Sequence, residues 1–473
     1  MAAISFSRTI SAYPTGARFV VSGRVAIFVS AMIVIPLVAL LFSQGATDYA
    51  HLISLAVALG WVLVWIVRTT EDFYVASGLV TARVATVLVA TLFIEPYYLS
   101  ATGLDAELYH AFGMQVSQSL QFNGTLPLAD LYWGVKSYSI YTGVCYLLFG
   151  TSRLAVKFLN TGIAAIGSIF FYKAYVLYYG RESKPLRLLL FFSPSLLYWS
   201  SIHGKDPLTF FSLGLGFWGT AEFAKRGSRK GYLTCLLAAL CLFLIRPHIA
   251  CVYLGALGIV FIVRSLSARK ALATRLASVS CLVLALLAAN FAVRDYLQDL
   301  ASSPEEILER VSTQHAALDT GNTALEVPSL VGWEAIVAYL PYGAATVMFR
   351  PFPWESGGVF FRLTSLEQLV LTAAEITFIV CLLFGFLKRS RRGRRLGMVR
   401  APTDALIVFI ASYWIGFVLL FTYMAGNLGT LAREKIQLAP FIWCGAFAVA
   451  ARYREVRKPV SSPSTDESAP IPA

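Results

Sequence analysis

Long apolar runs separated by short polar segments dominate the chain. A helix needs about 20 apolar residues to cross a hydrocarbon core of roughly 30 Å, and about twelve runs (range 10–14) approach this length. The pattern therefore predicts an all-α polytopic membrane protein with about twelve transmembrane helices. Their predicted bounds are 25–43, 50–68, 82–98, 155–179, 188–201, 207–223, 232–247, 249–264, 274–293, 366–387, 404–424 and 436–452.

Basic residues collect between these runs, which predicts the orientation. Short cytoplasmic loops are rich in Lys and Arg, and with the N-terminus inside, 27 of the 39 basic residues, Arg83 among them, fall in inner segments. The predicted organisation is a cytoplasmic N-terminus, a transmembrane domain and a disordered cytoplasmic tail. The domain includes two outer segments, each with a juxtamembrane helix that does not cross, at 136–150 and 331–349. The ranges are 1–24, 25–452 and 453–473, with outer segments 99–154 and 294–365.

Composition supports the membrane class and removes others. The chain is 57% hydrophobic and only 14% charged, whereas soluble domains are about 25% charged. This excludes a soluble enzyme, a nucleic-acid binder and a disordered scaffold. The net charge of +13 follows from the inner loops, so no nucleic-acid partner is predicted. All seven cysteines lie in apolar stretches without a Cys-x-x-Cys pair, as buried small hydrophobes do.

The first of five charged clusters on the predicted outer face is Asp105-Ala-Glu107-Leu-Tyr109-His110. On a helix over 105–121, Asp105 and Tyr109 are i,i+4 neighbours, and Glu107 and His110 are i,i+3 neighbours. A carboxylate at a membrane surface can act as a general base or a metal ligand. The alternative is an N-cap aspartate followed by a solvated acidic first turn.

Two further clusters lie at turns between apolar runs. Asp206 precedes Pro207 and could cap a helix, but capping does not explain His203 and Lys205 beside it. Arg246-Pro-His248 has almost no loop around it, and ionisable residues at such depth usually serve a pathway or a site. The alternative for that cluster is an arginine that snorkels toward lipid headgroups.

The last two clusters combine cations with rigid or aromatic neighbours. In Arg350-Pro-Phe-Pro-Trp354-Glu355, an arginine between aromatic residues suits a phosphate beside a stacked sugar ring; the alternative is an interfacial aromatic anchor. Arg433 and Lys435 are basic where basic residues are scarce and would attract a lipid-borne diphosphate. Pairing with the glutamate between them is the alternative.

The common plane of the five clusters predicts one site. Its expected catalytic residues are Asp105 and Glu107. Its expected substrate-binding residues are Tyr109, His110, His203, Lys205, Asp206, Arg246, His248, Arg350, Trp354, Glu355, Arg433 and Lys435.

Three segments in this order carry a resemblance: DAELYH, then YSIYTGVCYLLFGTSRLAVKFLNT, then LLFFSPSLLYWSSIHGKDPL. Over about residues 82–225 the chain resembles polyprenyl-phosphate-sugar-dependent glycosyltransferases of the GT-C fold, of the protein-mannosyltransferase and aminoarabinose-transferase type. By this resemblance Asp105 matches the catalytic carboxylate of the first outer loop. The family often has Asp-Glu or Asp-x-Asp there, and this chain has Asp-x-Glu. RPFPWE and NLGTLAREK resemble uncharacterised membrane proteins of bacterial exopolysaccharide clusters, which imply no residue roles.

The resemblance implies an enzyme of the bacterial inner membrane with a periplasmic active site. It would transfer a sugar from an undecaprenyl-phosphate carrier to a glycan or lipid acceptor. A polysaccharide polymerase or O-antigen-ligase-like enzyme is the nearest alternative. A lipid-linked-sugar flippase is the alternative from another class, and it predicts ionisable residues within the spans, such as Lys173, Glu222 and Glu375. No cofactor is assigned, and a divalent cation, Mg or Mn, stays open.

The orientation can be tested by cysteine labelling. Cysteines placed at Thr320 and Ser356 should react with an impermeant thiol reagent added outside intact cells, because both belong to predicted outer segments. A cysteine at Gly393, within the most basic predicted inner loop, should not react. Labelling at Gly393 would overturn the predicted compartments.

Overall fold

The computed structural model describes residues 23–42, 49–70, 72–127, 133–267, 333–355, 359–396, 404–424 and 426–457, with isolated positions between 279 and 325. Most of these residues are helical, and none lies in a strand. The α-helices are α1 Gly23–Phe42, α2 Tyr49–Thr70, α3 Phe73–Val89, α4 Glu95–Phe122, α5 Trp133–Phe149, α6 Arg153–Tyr179, α7 Lys184–Phe192, α8 Pro194–Trp199, α9 Asp206–Arg226, α10 Arg229–Ile245, α11 Pro247–Ser267, α12 Trp333–Phe349, α13 Val359–Leu396, α14 Ala405–Met424, α15 Leu428–Glu434 and α16 Ala439–Arg457. A π-helical segment, Ala90–Ile94, joins α3 to α4, and a 3₁₀ turn, Lys435–Gln437, follows α15.

Six helical segments in the described part are long and apolar enough to cross a membrane. The all-α class is therefore confirmed for these residues, and a helical membrane protein is the class they fit. The count of about twelve spans stays a prediction. The six segments are Tyr49–Thr70, Phe73–Ile94, Arg153–Tyr179, Pro247–Arg264, Phe361–Leu383 and Ala405–Met424.

The two predicted non-crossing helices are present as α5 and α12, and their place on the outer surface stays a prediction. Other predicted segments lie wholly or mostly outside the described residues. These are the N-terminus 1–24, the span 274–293, the acidic start of the outer segment 294–365, and the tail after residue 457.

The predicted span over 188–201 is wrong, because the helix breaks at Pro194. Ser193 has φ −57° and ψ 127°, the extended conformation that a following proline favours. The run therefore folds as α7 and the six-residue α8. Glu367 of α13 stabilises the break: its carboxylate accepts hydrogen bonds from the Ser193 hydroxyl and from the Ser195 backbone N–H (2.8 Å).

The predicted span over 82–98 is also displaced, which moves Arg83 out of an inner loop. Helix α3 begins at Phe73, capped by the Asp72 side chain, and the chain continues through the π-helical segment into α4. Arg83 thus lies midway along the candidate span Phe73–Ile94 with 1% exposure. Its guanidinium donates to the Ser200 hydroxyl and, at 2.9 Å, to the Ser168 hydroxyl.

Helices α6 and α9 pack closely at the centre of the bundle. A Cβ atom added to Gly214 of α9 would lie 2.5 Å from the backbone oxygen of Gly167 in α6, so neither position has room for a side chain. The turn before α9 is also held to α6, since Thr161 and Ser201 hydroxyls lie 3.1 Å apart and Asn160 donates to the Ile202 carbonyl at 3.3 Å. These contacts fix where α9 begins.

We expect Gly214→Ala to lower the melting temperature measured in detergent. The added methyl must push α6 and α9 apart, and overpacking of this kind costs about 1–3 kcal/mol. Gly255→Ala in α11 is the matched control, because a Cβ there meets nothing within 4 Å; alanine favours a helix interior, so it should be neutral or slightly stabilising. Equal melting temperatures for the two variants would contradict the close packing.

Candidate functional site

Asp206 lies at the centre of a buried group of charges. It is the first residue of α9 and has no exposed surface. Its Oδ1 accepts a hydrogen bond from Arg246 Nη2 at 2.6 Å, and its Oδ2 accepts one from Arg433 Nε at 2.7 Å. Its side chain makes no capping hydrogen bond, since Lys205 is the N-cap. The capping interpretation of Asp206 is therefore wrong: its carboxylate binds two guanidinium groups.

Glu434 completes this group, and we call Asp206, Arg246, Arg433 and Glu434 the Asp206 cluster. Arg246 Nη1 and Gln437 Nε2 both donate to Glu434 Oε2. Burial by itself lowers the pKa of Arg246, but Glu434 and Asp206 outweigh it and raise that pKa. The same balance, with Asp206 as the main partner, raises the pKa of Arg433. Both arginines stay charged, and Arg246 is buried in ion pairs, not snorkelling.

Asp105 lies at the exposed edge of the Asp206 cluster. Its side chain is 57% exposed, and its Oδ2 accepts a hydrogen bond from Arg433 Nη1 at 3.3 Å. It lies inside α4, which begins at Glu95, so the N-cap interpretation of Asp105 is wrong. Lys205 is beside them, with its Nζ 5.5 Å from the Tyr109 ring centroid. Burial is the main reason that the pKa of Lys205 falls to about 8.

An aromatic group packs beneath Lys205. The Tyr109 ring centroid is 4.6 Å from that of Tyr138 and 6.4 Å from that of His203. His203 is almost fully buried, and Thr142 Oγ1 lies 3.4 Å from its Nε2. Burial lowers the pKa of His203 to about 3, so its imidazole is neutral at physiological pH and cannot supply a positive charge to a phosphate.

Glu107 and His110 make separate contacts. Residues two apart on a helix do not share a face, and Glu107 binds Arg153 through both carboxylate oxygens at 2.5 Å. The Arg153 hydrogen bond is the main cause that lowers the pKa of Glu107. His110 Nδ1 lies 2.6 Å from the Tyr146 hydroxyl. Glu107 and Asp105, the two expected catalytic residues, thus bind different arginines, Arg153 and Arg433.

Residues 350–355 form a turn closed by Glu355. Glu355 accepts hydrogen bonds from Arg350 Nε (2.5 Å) and from the Phe352 backbone N–H (2.8 Å). Trp354 is 77% exposed and stacks on Phe352 with centroids 4.8 Å apart. Lys435 reaches this turn, because its Nζ donates to the backbone oxygen of Arg350 at 2.5 Å.

Lys435 binds backbone carbonyl groups of the protein, whereas the sequence predicts that it binds an anion. Its Nζ also donates to the Met348 carbonyl (3.3 Å), at the C-terminal end of α12, where a cation is favourable. Burial lowers the pKa of Lys435. His248, the second residue of α11, lies half-buried beside Arg246. The structure thus brings Lys205, Asp206, Arg246 and Arg433 together with Asp105. Lys435, which directly follows Glu434 in the chain, connects the 350–355 turn to this group by its hydrogen bond to Arg350.

Sequence reasoning missed several partners. The sequence predicts Glu434 only as an alternative partner of its neighbours, and it gives no sign of Trp199, whose ring centroid is 5.4 Å from Arg433 Cζ. It also does not predict the ion pair of Lys157 and Glu95 (2.5 Å), although each lies inside a predicted apolar span. Charges that interrupt apolar runs were the available signal.

A small cleft lies between α8, α13 and the α15–α16 segment, and Lys435 and Ala432 line it. Within the described part of the chain, no group of three or more His, Cys, Asp or Glu side chains could hold a metal ion.

A scan against protein-family models, a search of curated proteins and a search of solved structures each found no match to this chain.

We expect Asp206→Asn to destabilise the protein far more than Asp105→Asn. Asp206 is a buried partner of two arginines, and removing one partner of a buried ion pair costs about 3–5 kcal/mol. Asp105 is solvent-exposed, and such pairs contribute about 0–1 kcal/mol. Thermal unfolding of both variants in the same detergent tests this; similar losses would contradict the central place of Asp206.

Proposed function

We propose that the protein is an integral-membrane glycosyltransferase that moves a sugar from a polyprenyl-phosphate carrier to a cell-surface glycan or lipid acceptor. One observation carries the proposal: the exposed Asp105 carboxylate lies directly beside two cations, Arg433 by hydrogen bond and Lys205 within electrostatic range. A base next to cations is what transfer to a hydroxyl from a phosphate leaving group requires. The resemblance over residues 82–225 supports the same class.

In the proposed inverting reaction, Asp105 removes the proton from the acceptor hydroxyl while its oxygen attacks C1 of the sugar. The bond between C1 and the phosphate oxygen breaks with its electron pair on oxygen, and the polyprenyl phosphate leaves. Arg433 and Lys205 would stabilise the negative charge as it develops there. Glu107 takes no part, because Arg153 holds its carboxylate.

The turn at 350–355 would contact the donor from the side. Trp354 presents an exposed, rigid aromatic face of the kind that stacks on a sugar ring, and Phe352 supports it from behind. Arg350 is held by Glu355, so its charge is partly used within the turn. We therefore assign the turn to recognition of the sugar and not to the reaction. A polymerase or an O-antigen-ligase-like enzyme would use the same lipid chemistry.

A lipid-linked-sugar flippase is the second candidate, and two buried charges favour it. Arg83 lies within the candidate span Phe73–Ile94, and Glu375 lies within Phe361–Leu383, each with 1% exposure. Ionisable side chains inside spans are costly and often mark a transport pathway. Arg83, however, has hydroxyl partners, and Glu375 accepts a hydrogen bond from the Trp414 indole at 3.2 Å.

Asp105→Asn should lower sugar transfer by about 10²–10⁴-fold, the usual contribution of a general base, with unchanged protein level. The measurement is transfer from a polyprenyl-phosphate sugar in proteoliposomes. Glu107→Gln is the matched control, because it removes the same charge from the same helix. It should change transfer much less, since the Glu107 carboxylate is held by Arg153.

A flippase would give the opposite pattern in the same vesicles. Transfer would be absent, and movement of the lipid-linked sugar between leaflets would depend on Arg83 or Glu375 and not on Asp105. Wild-type transfer by Asp105→Asn would also reject the proposed role of Asp105.

A further inference from the structure

The three guanidinium nitrogens of Arg433 are held unequally. Nε donates to the buried Asp206, and Nη1 donates to the exposed Asp105. Nη2 makes no hydrogen bond to any residue that the structure describes, and it is not enclosed. It lies beside Gly204, where an added Cβ would be 3.5 Å away. Arg433 therefore has one fixed side and one side open to exchange.

The two carboxylates differ in how firmly they hold Arg433. The hydrogen bond to Asp206 is 2.7 Å long and its carboxylate is fully buried. The contact with Asp105 is 3.3 Å long, and that carboxylate is more than half exposed. Water and salt screen exposed pairs strongly. A competing anion can thus replace Asp105 while Asp206 keeps the guanidinium in place.

We propose that Arg433 is a substrate-operated switch: a phosphate or diphosphate group binds the Nη1–Nη2 edge, displaces Asp105, and so frees its carboxylate. The edge offers two parallel N–H donors, the geometry in which arginine binds phosphate. Lys205 supplies a second cation beside it, and at Gly204 no side chain contacts Nη2, which an added Cβ would do at 3.5 Å.

This inference rests on the proposed function, because it deepens the role of Asp105 as the base. In the structure, Oδ2 of Asp105 accepts a hydrogen bond from Arg433. We infer that this oxygen stays engaged with Arg433 until the donor phosphate takes its place on the guanidinium. The arrangement couples donor binding to activation of the acceptor hydroxyl, and it disfavours activation of water when no donor is present.

Anion binding by the purified full-length protein tests the switch. The probes are inorganic pyrophosphate and farnesyl phosphate, each titrated by calorimetry in detergent at fixed low salt. If Asp105 competes for Arg433, Asp105→Asn removes the competitor and binding should tighten about 1.5- to 5-fold, the equivalent of an exposed ion pair.

Two variants serve as controls. Glu107→Gln removes the same charge two residues away on α4, but Glu107 binds Arg153, so affinity should stay at the wild-type value. Gly204→Ala places a methyl group beside Nη2 without a clash and should weaken binding several-fold at an unchanged melting temperature.

Each failure has its own meaning. Equal tightening of binding in Asp105→Asn and Glu107→Gln would attribute the effect to long-range charge and overturn the switch. The switch would also be overturned if neither probe bound to the wild type or to Asp105→Asn. If tightening is seen but Asp105→Asn transfers sugar as fast as the wild type, the role of Asp105 as the base falls and the anion exchange stands. If Asp105→Asn abolishes transfer but leaves binding unchanged, the transferase stands and the switch falls.

Discussion

The burial of the Asp206 carboxylate is the constraint on which the rest of the site depends. A carboxylate without exposure is tolerated only when opposite charge and hydrogen bonds replace water. Arg246 and Arg433 supply them, and Arg246 in turn needs Glu434. Asp206 is 227 residues from Arg433, and Arg246 is 188 residues from Glu434. The N-terminus of α9 and the C-termini of α10 and α15 must therefore come together, since any one of them alone would bury an uncompensated charge.

The same pairing limits what the cations can do. Three carboxylates, those of Asp105, Asp206 and Glu434, lie among three cations, Lys205, Arg246 and Arg433. The site is close to neutral and is not the surplus of positive charge that basic residues on the predicted outer face suggested. An anion can bind these cations only by displacing a carboxylate that is held weakly, and Asp105 is the exposed one. Reactivity in such a site comes from the exchange of one anionic partner of an arginine for another.

The helices could be predicted from the sequence where apolarity and helix coincide. The runs 50–68, 155–179 and 404–424 correspond to α2, α6 and α14 within two residues at each end. The helix predicted over 105–121 is present within α4. The prediction is wrong at Pro194, where an apolar run contains a proline that breaks the helix. The charged clusters were recognisable as unusual. Their pairing was not, because nothing in a single sequence shows that residues 206 and 433 are neighbours.

The short helix α8 shows how charges far away in the sequence place the site. Six residues are too few for a helix to be stable alone. At its N-terminus Glu367 accepts from Ser193 and Ser195, and at its C-terminus Arg83 donates to the Ser200 hydroxyl, which donates to the Leu196 carbonyl. A negatively charged carboxylate at the N-terminus and a positively charged guanidinium at the C-terminus match the helix dipole. The turn that follows ends at Lys205 and leads into Asp206, the first residue of α9. A buried arginine in α3 and a glutamate in α13 therefore hold the segment that leads to Asp206.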